Sequence, residues 1–198
     1  MRPEEEPEYQ TPPTCDLLSL LLRNRRPTGA VNEVWPNLYI GDAATAQDKS
    51  LLVNLRITHV VNAADGVQHI DTGPLFYSDT NILYHGVEAA DRKDFDLGPF
   101  FTETADFIHG ALSHKGSHME VRYSAATCNF TSKVLVHCAR GISRSATLVL
   151  AFLMIKERLT LIDAVQTVRQ HRNVLPNVGF LNQLRHLDSS LALQRRTT

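Results

Sequence analysis

Residues 134–150, VLVHCARGISRSATLVL, constrain the fold of this chain more than any other stretch. Val134, Leu135 and Val136 make a short β-branched apolar run suited to a buried strand, and 145–155 is an apolar run of helical length. The join between them holds Cys138, Gly141 and Arg144. Gly141 allows the backbone to turn so that successive amides face inward, and a helix opening at Arg144 adds the positive end of its dipole. Strand, loop and helix in that order form a concave ring of N–H donors, a seat for an oxyanion or phosphate.

The rest of the chain reads as strands alternating with helices. Strands are expected at 38–41, at ITHVVNAA and at 82–87, with helices over 43–55, from Pro99 to about Leu112, from Thr160 to about Arg172, and from Asn177 to about Leu191. Thr160 with Asp163 reads as a capping box, and Asn177 after Pro176 as a new N-cap. An early helix, capped by Thr14, carries the stripe Leu17, Leu18, Leu21 and Leu22, with Arg23, Arg25 and Arg26 as its solvated end. Residues 65–80, rich in Gly, Asp and Thr, read as a surface connection, and 88–97 as an acidic loop. This alternation predicts an α/β fold with a central, mostly parallel sheet flanked by helices, and a pocket at the carboxyl end of a strand.

Two segments depart from that order. Residues 1–13 combine four Pro with four Glu and read as a flexible leader, too poor in large apolar groups to repay the entropy of ordering. Residues 114–132 are longer than the usual connection of about 4 to 6 residues and read as an irregular insertion. Met119, Val121 and Tyr123 alternate with polar residues there, but a loop is the preferred reading over an edge strand. A single domain over 14–192 with a tail at 193–198 is expected.

Composition narrows the setting. A net charge of -1 calls for neither nucleic acid nor an anionic membrane as partner, and no apolar run approaches the roughly 18 residues of a span. The acidic, proline-rich first residues do not resemble a secretory leader, so a cytoplasmic or nuclear protein is expected. Cys15, Cys128 and Cys138 form no disulfide framework, and the sequon Asn129-Phe130-Thr131 is read as a chance match. His114 and His118 have metal-ligand spacing, but Gly116 argues against the helix they would need, so no metal site is expected.

His137-Cys138-x-x-Gly141-x-Ser143-Arg144-Ser145 sets six identities over nine positions, a match expected by chance about once in 10⁷ starts. With VWPNLYIGDA, ITHVVNAA, AADRKDF and RNVLPNVGFLNQL, it resembles the small atypical dual-specificity phosphatases of the cysteine-dependent protein tyrosine phosphatase superfamily, over roughly residues 34–187. The 114–132 segment departs from the family pattern.

The residue types also suit the chemistry. A phosphate monoester needs an in-line nucleophile, neutralisation of its equatorial oxygens and a proton for the leaving oxygen. Cys138 can supply the first as a thiolate favoured by the amides and Arg144. Arg144 can supply the second through its planar fork, with the backbone of Ala139, Arg140, Gly141, Ile142, Ser143 and Arg144 completing the substrate cradle. The third requires a carboxyl group, and Asp91, Asp94 and Asp96 are candidates. The family pattern selects Asp91, with Asp94 second and Asp96 a helix cap. The resemblance implies that the Ser145 hydroxyl assists departure of the thiolate, while His137 is expected to orient the loop. Asp42 and Asn62 are read as structural supports of the strand ends.

These expectations describe a protein phosphatase acting on phosphotyrosine and on phosphoserine or phosphothreonine without a cofactor, its partners being phosphorylated proteins. Oligomeric state is left open. A weakly active phosphoprotein-binding scaffold is the alternative, on account of the insertion. A lipid or RNA phosphatase is disfavoured because only Arg140 adds positive charge beside Arg144.

Overall fold

The computed structural model describes residues 9–25, 28–66, 70, 72–113 and 131–197. Five strands, β1 (Val31–Trp35), β2 (Leu38–Gly41), β3 (His59–Asn62), β4 (Leu83–Gly86) and β5 (Val134–His137), form one sheet in the order β1-β2-β5-β3-β4. β2, β5, β3 and β4 run parallel, and β1 pairs antiparallel with β2. Among the described residues seven α-helices accompany them: α1 (Thr14–Leu22), α2 (Ala43–Gln47), α3 (Lys49–Leu55), α4 (Phe101–Ser113), α5 (Arg144–Ile155), α6 (Leu161–His171) and α7 (Val178–Arg196). The expected α/β architecture with a mostly parallel sheet is the one observed.

The period of two in a strand sorts its side chains between two cores. Val134 and Val136 of β5, Leu38 and Ile40 of β2 and Val61 of β3 face the larger core, shared with α1, α4, α5, α6 and α7. Leu135, Tyr39 and Val60 face the opposite side, against Ala46, Leu52, Ile57 and Tyr77. Both faces of β5 are therefore covered, and it is paired on both edges. α5 is buried from Arg144 to Met154, as a helix apolar all round must be. Truncating a side chain such as Phe152 there would cost about 3–5 kcal/mol. The loop between β5 and α5 is thus anchored at both ends in the centre of the molecule.

Several expectations change. The strand β1 was not foreseen. Asn37, at φ 62, turns the chain tightly after Pro36, and its amide donates to Glu33 Oε1 at 2.7 Å, closing a hairpin. The expected helix 43–55 is two helices, because the Asp48 carboxylate accepts from Leu51 N and starts a new one. Pro13, not Thr14, occupies the N-cap position of α1, and Leu22 is exposed while Leu17 and Leu21 are buried. Within the expected surface connection, Tyr77 is buried, its hydroxyl donating to Ala46 O at 2.7 Å. α7 runs to Arg196, so residues 193–196 of the expected tail continue the helix, with the Arg195 guanidinium donating to Met154 O at 2.9 Å. Residues 9–13 are not a free leader, because they lie along α7. Their ordering is driven by the buried carboxylate of Asp188, which accepts from Tyr9 Oη at 2.6 Å and Thr11 Oγ1 at 2.7 Å.

The edge strand considered at Met119, Val121 and Tyr123, the pair His114 and His118, and Cys128 lie outside the described residues. Past that segment the chain is in register by Lys133, whose carbonyl accepts from Thr58 N and His59 N, and Val134 N donates to Asn37 O.

Candidate active site

Four consecutive carbonyls determine the shape of the loop after β5. Ala139 O accepts from Ala43 N at 3.2 Å and Ile142 O from Leu175 N at 2.9 Å. Arg140 O and Gly141 O accept from the Arg172 guanidinium, at 3.3 Å from Nη2 and 2.8 Å from Nε. Peptide planarity then turns the intervening amides inward. Gly141 sits at φ +64, and a Cβ there would lie 2.4 Å from Gly41 O and 2.7 Å from Arg172 Nη2. No other residue fits that conformation and that gap.

The amides converge on the Cys138 thiol, 2% exposed. Gly141 N donates to Sγ at 3.2 Å, and Ser145 Oγ lies 3.4 Å from it. Burial pushes the thiol up, but the Ser145 hydroxyl and the amides of Ser145, Arg140 and Ile142 outweigh it and hold the group below the ordinary thiol value. The site therefore favours the thiolate, the nucleophilic form, more than solvent does. His137, with zero exposure, is pulled down by burial to about 4 and is neutral at physiological pH. Neither ring nitrogen reaches hydrogen-bond geometry with a described residue.

A carboxylate faces the thiol from the loop before α4. Asp91 Oδ1 accepts from Ser143 Oγ at 2.8 Å and Asn177 Nδ2 at 2.9 Å, while Oδ2 lies 3.7 Å from Arg144 Nε. Arg144 Nη1 donates to Ala89 O at 2.9 Å, while Nε, buried and without a hydrogen bond, faces the Asp91 carboxylate. The first turns of α7 seat this loop. Gln183 Oε1 accepts from Leu97 N at 2.8 Å, its Nε2 donates to Phe95 O at 2.8 Å, and Gly179 lies so close to Lys93 that a Cβ would come within 1.9 Å of its carbonyl. Asp94 is engaged elsewhere. The Arg92 guanidinium grips it at 3.0 and 2.7 Å and lowers its pKa on an exposed edge. Asp96 Oδ1 accepts from Gly98 N, capping the turn before α4.

A cavity of about 140 Å³ is lined by Asp91, Cys138, Ala139, Arg140, Ile142, Ser143 and Arg144. The structure thus brings Cys138, Arg144 and Asp91 together. Gly141 and Ser145 stand behind the sulfur, and the Ser143 hydroxyl serves the acid loop. Asp42 caps α2, and Asn62 ties the end of β3 to Ile70, Thr72 and Tyr84. A larger cavity of about 860 Å³, lined by Ile57, Thr58, Ile82 and Lys133, opens at the other ends of the strands, and no cysteine among the described residues lines it. Sequence reasoning missed Arg172, Gly179 and Gln183, and took Asn177 only as a helix cap. All four lie in RNVLPNVGFLNQL, a segment whose family likeness was legible but whose contacts are long-range.

A thiol on the central strand, ringed by amides and faced by a guanidinium and a carboxylate, places the protein among cysteine-based phosphate-monoester hydrolases. The sequence profile of the dual specificity phosphatase catalytic domain matches residues 123–190. Human dual specificity protein phosphatase 13B is 48% identical over 184 residues, 92% of this chain and 85% of its own length. Among solved structures, human DUSP28 is 25% identical with a TM-score of 0.66, covering 83% of this chain and 97% of its own. A mouse putative dual specificity phosphatase complexed with zinc tungstate is 27% identical with a TM-score of 0.66, over 88% of this chain and 96% of its own. The chain belongs to the dual specificity protein phosphatase family, and its activity is that of a protein phosphatase.

Proposed function

We propose that the chain hydrolyses phosphotyrosine and phosphoserine or phosphothreonine in proteins through a phosphocysteine intermediate. Cys138 Sγ attacks phosphorus in line. The Arg144 fork and the amides of the loop at 139–144 take up the charge of the equatorial oxygens. Asp91 protonates the leaving oxygen and then accepts a proton from the attacking water, while the Ser145 hydroxyl stabilises the departing thiolate. His137 stays neutral and fills the space beneath the loop. The observation that carries this reading is the buried sulfur held by Gly141 N and Ser145 Oγ on the floor of the cavity that Asp91 and Arg144 line.

The scaffold alternative is not favoured. A module that only binds phosphate needs neither a lowered thiol nor a carboxylate across from it, and β5 enters the loop in full register with β2 and β3. A reduced, reactive thiol suits the cytoplasm or nucleus, and we place the protein there; cell fractionation checks this. For the mechanism, Cys138→Ser is expected to abolish turnover of aryl phosphates and phosphopeptides while keeping tungstate binding. Asp91→Asn is expected to slow poor leaving groups by about 10²-fold or more and activated ones far less. Full activity of the first variant, or equal slowing of all leaving groups by the second, would overturn these assignments.

A further inference from the structure

The segment at 9–14 is held on α7 almost entirely by side chains. Asp188, 2% exposed, is the central acceptor: Oδ2 takes both Tyr9 Oη at 2.6 Å and Thr11 Oγ1 at 2.7 Å, and Oδ1 takes Leu161 N at 3.0 Å. One turn earlier on α7, Arg185 Nε donates to Pro12 O at 2.8 Å, and Thr14 Oγ1 donates to Asn182 Oδ1 at 2.8 Å. Residues 9–13 belong to no helix and pair with no strand. No helix or strand hydrogen bond is lost if residues 9–12 detach, the kind of segment that opens locally. Tyr9 is half-buried and follows Glu4, Glu5, Glu6 and Glu8, an acidic approach of the kind that complements a basic substrate groove.

We propose that Tyr9 is a tyrosine-phosphorylation site, and that its modification unlatches the strap at 9–13 from α7. A tyrosine kinase would transfer the γ-phosphoryl group of ATP. The new bond joins Tyr9 Oη to phosphorus, the bond from the γ-phosphorus to the β,γ-bridging oxygen breaks, ADP departs, and the phenolic proton passes to the kinase's base. The product loses the Tyr9 donor, one of the three on Asp188, and gains about -1.5 to -2 of charge. That charge would face the Asp188 carboxylate, with Asp163 also close enough to act on Tyr9 electrostatically. Like charges at a buried acceptor cannot share the site, so the strap is released and Thr11 with it.

The test uses the full chain carrying Cys138→Ser, so that the protein cannot remove its own mark. Phosphotyrosine is installed at position 9 by an acid-preferring tyrosine kinase with ATP, and independently during translation at an amber codon. Backbone ¹⁵N relaxation at Tyr9, Gln10 and Thr11 is then read. The unmodified chain is expected to show order parameters near the rigid value of about 0.85, and the phosphorylated chain values below about 0.6. Tyr9→Phe, which loses the hydrogen bond but adds no charge, is expected to fall between them. Failure of the kinase to modify Tyr9, unchanged order parameters in the translated phosphoprotein, or equal loosening by Tyr9→Phe would each overturn the proposal.

Discussion

Replacing Arg172 with methionine keeps most of the side-chain stem while removing the guanidinium that shapes the loop. The group is 4% exposed and makes four donations: to Gly141 O at 2.8 Å, Arg140 O at 3.3 Å, Gly29 O at 2.8 Å and Asn32 Oδ1 at 2.6 Å. Each acceptor left buried and unpaired costs about 1–3 kcal/mol. Burial opposes the cation, and it is the main cause lowering the pKa of this arginine, so removal also relieves a desolvation cost. The net loss of stability is expected at about 3 kcal/mol, below the plain sum of four such terms. Catalysis is expected to suffer separately. Once Arg140 O and Gly141 O are free, the peptides between them can rotate, and a loop displaced by about 1 Å loses roughly 10²-fold in kcat/KM. Those same peptides hold the sulfur, so the thiol pKa of Cys138 should rise. The assays are urea unfolding, kcat/KM on an aryl phosphate, and the pH dependence of Cys138 alkylation by iodoacetamide. Arg172→Lys keeps a charge near the thiolate but cannot span the four acceptors, and should resemble the methionine variant more than the parent. A folded Arg172→Met protein with an unshifted alkylation midpoint and kcat/KM within about twofold would refute the claim that this side chain shapes the loop.

Two other perturbations probe the remaining supports. Gly179→Ala would place a Cβ 1.9 Å from Lys93 O and must displace the acid loop; the expected result is a loss with poor leaving groups approaching about 10²-fold and a smaller one with activated esters, and an unchanged ratio between the two would contradict the seating. His137 is held neutral by burial, with its pKa lowered from 6.5 to about 4, so the unfolded chain binds the extra proton between those values and stability must fall as pH drops through that window. The whole window is worth about 3 kcal/mol, of which about 2 kcal/mol is lost between pH 7 and pH 5, measured as the difference between parent and His137→Gln in urea midpoints at those two pH values. A parent that gains stability relative to the variant on acidification would have the wrong sign.

What could be read before the structure follows from the range of the interactions. The strand Val134–His137, the helix beyond it and the caps at Thr160 and Asn177 arise from side chains acting within a few residues, and they form where the pattern places them. The expectation of Asp91 rested on a family pattern, and the structure adds a difference in contacts between the candidates. Asp94 is taken by Arg92 two residues away, while Asp91 is reached by Ser143 and Asn177 from distant parts of the chain. Nothing periodic announces such bonds. The same holds for Tyr9, whose acidic, proline-rich neighbourhood reads as disorder until Asp188, 179 residues on, supplies a buried acceptor.

The two ends of α6 show why a motif alone describes this site incompletely. Its last turn leads into Arg172, which holds the loop carbonyls outward, and its first amide, on Leu161, is held by Asp188, the acceptor that also binds the strap. The amide ring around Cys138 thus depends on a helix whose other end is tied to residues near the start of the chain. If α6 is a rigid mount, Asp188→Asn should loosen the strap and lower stability while leaving the alkylation midpoint of Cys138 unchanged, because Arg172 is still positioned by Gly29, Asn32 and the loop itself. If the midpoint moves as it does in Arg172→Met, α6 transmits the state of the strap to the thiol. Measuring the midpoint in both variants under one buffer series distinguishes a rigid mount from a coupled one.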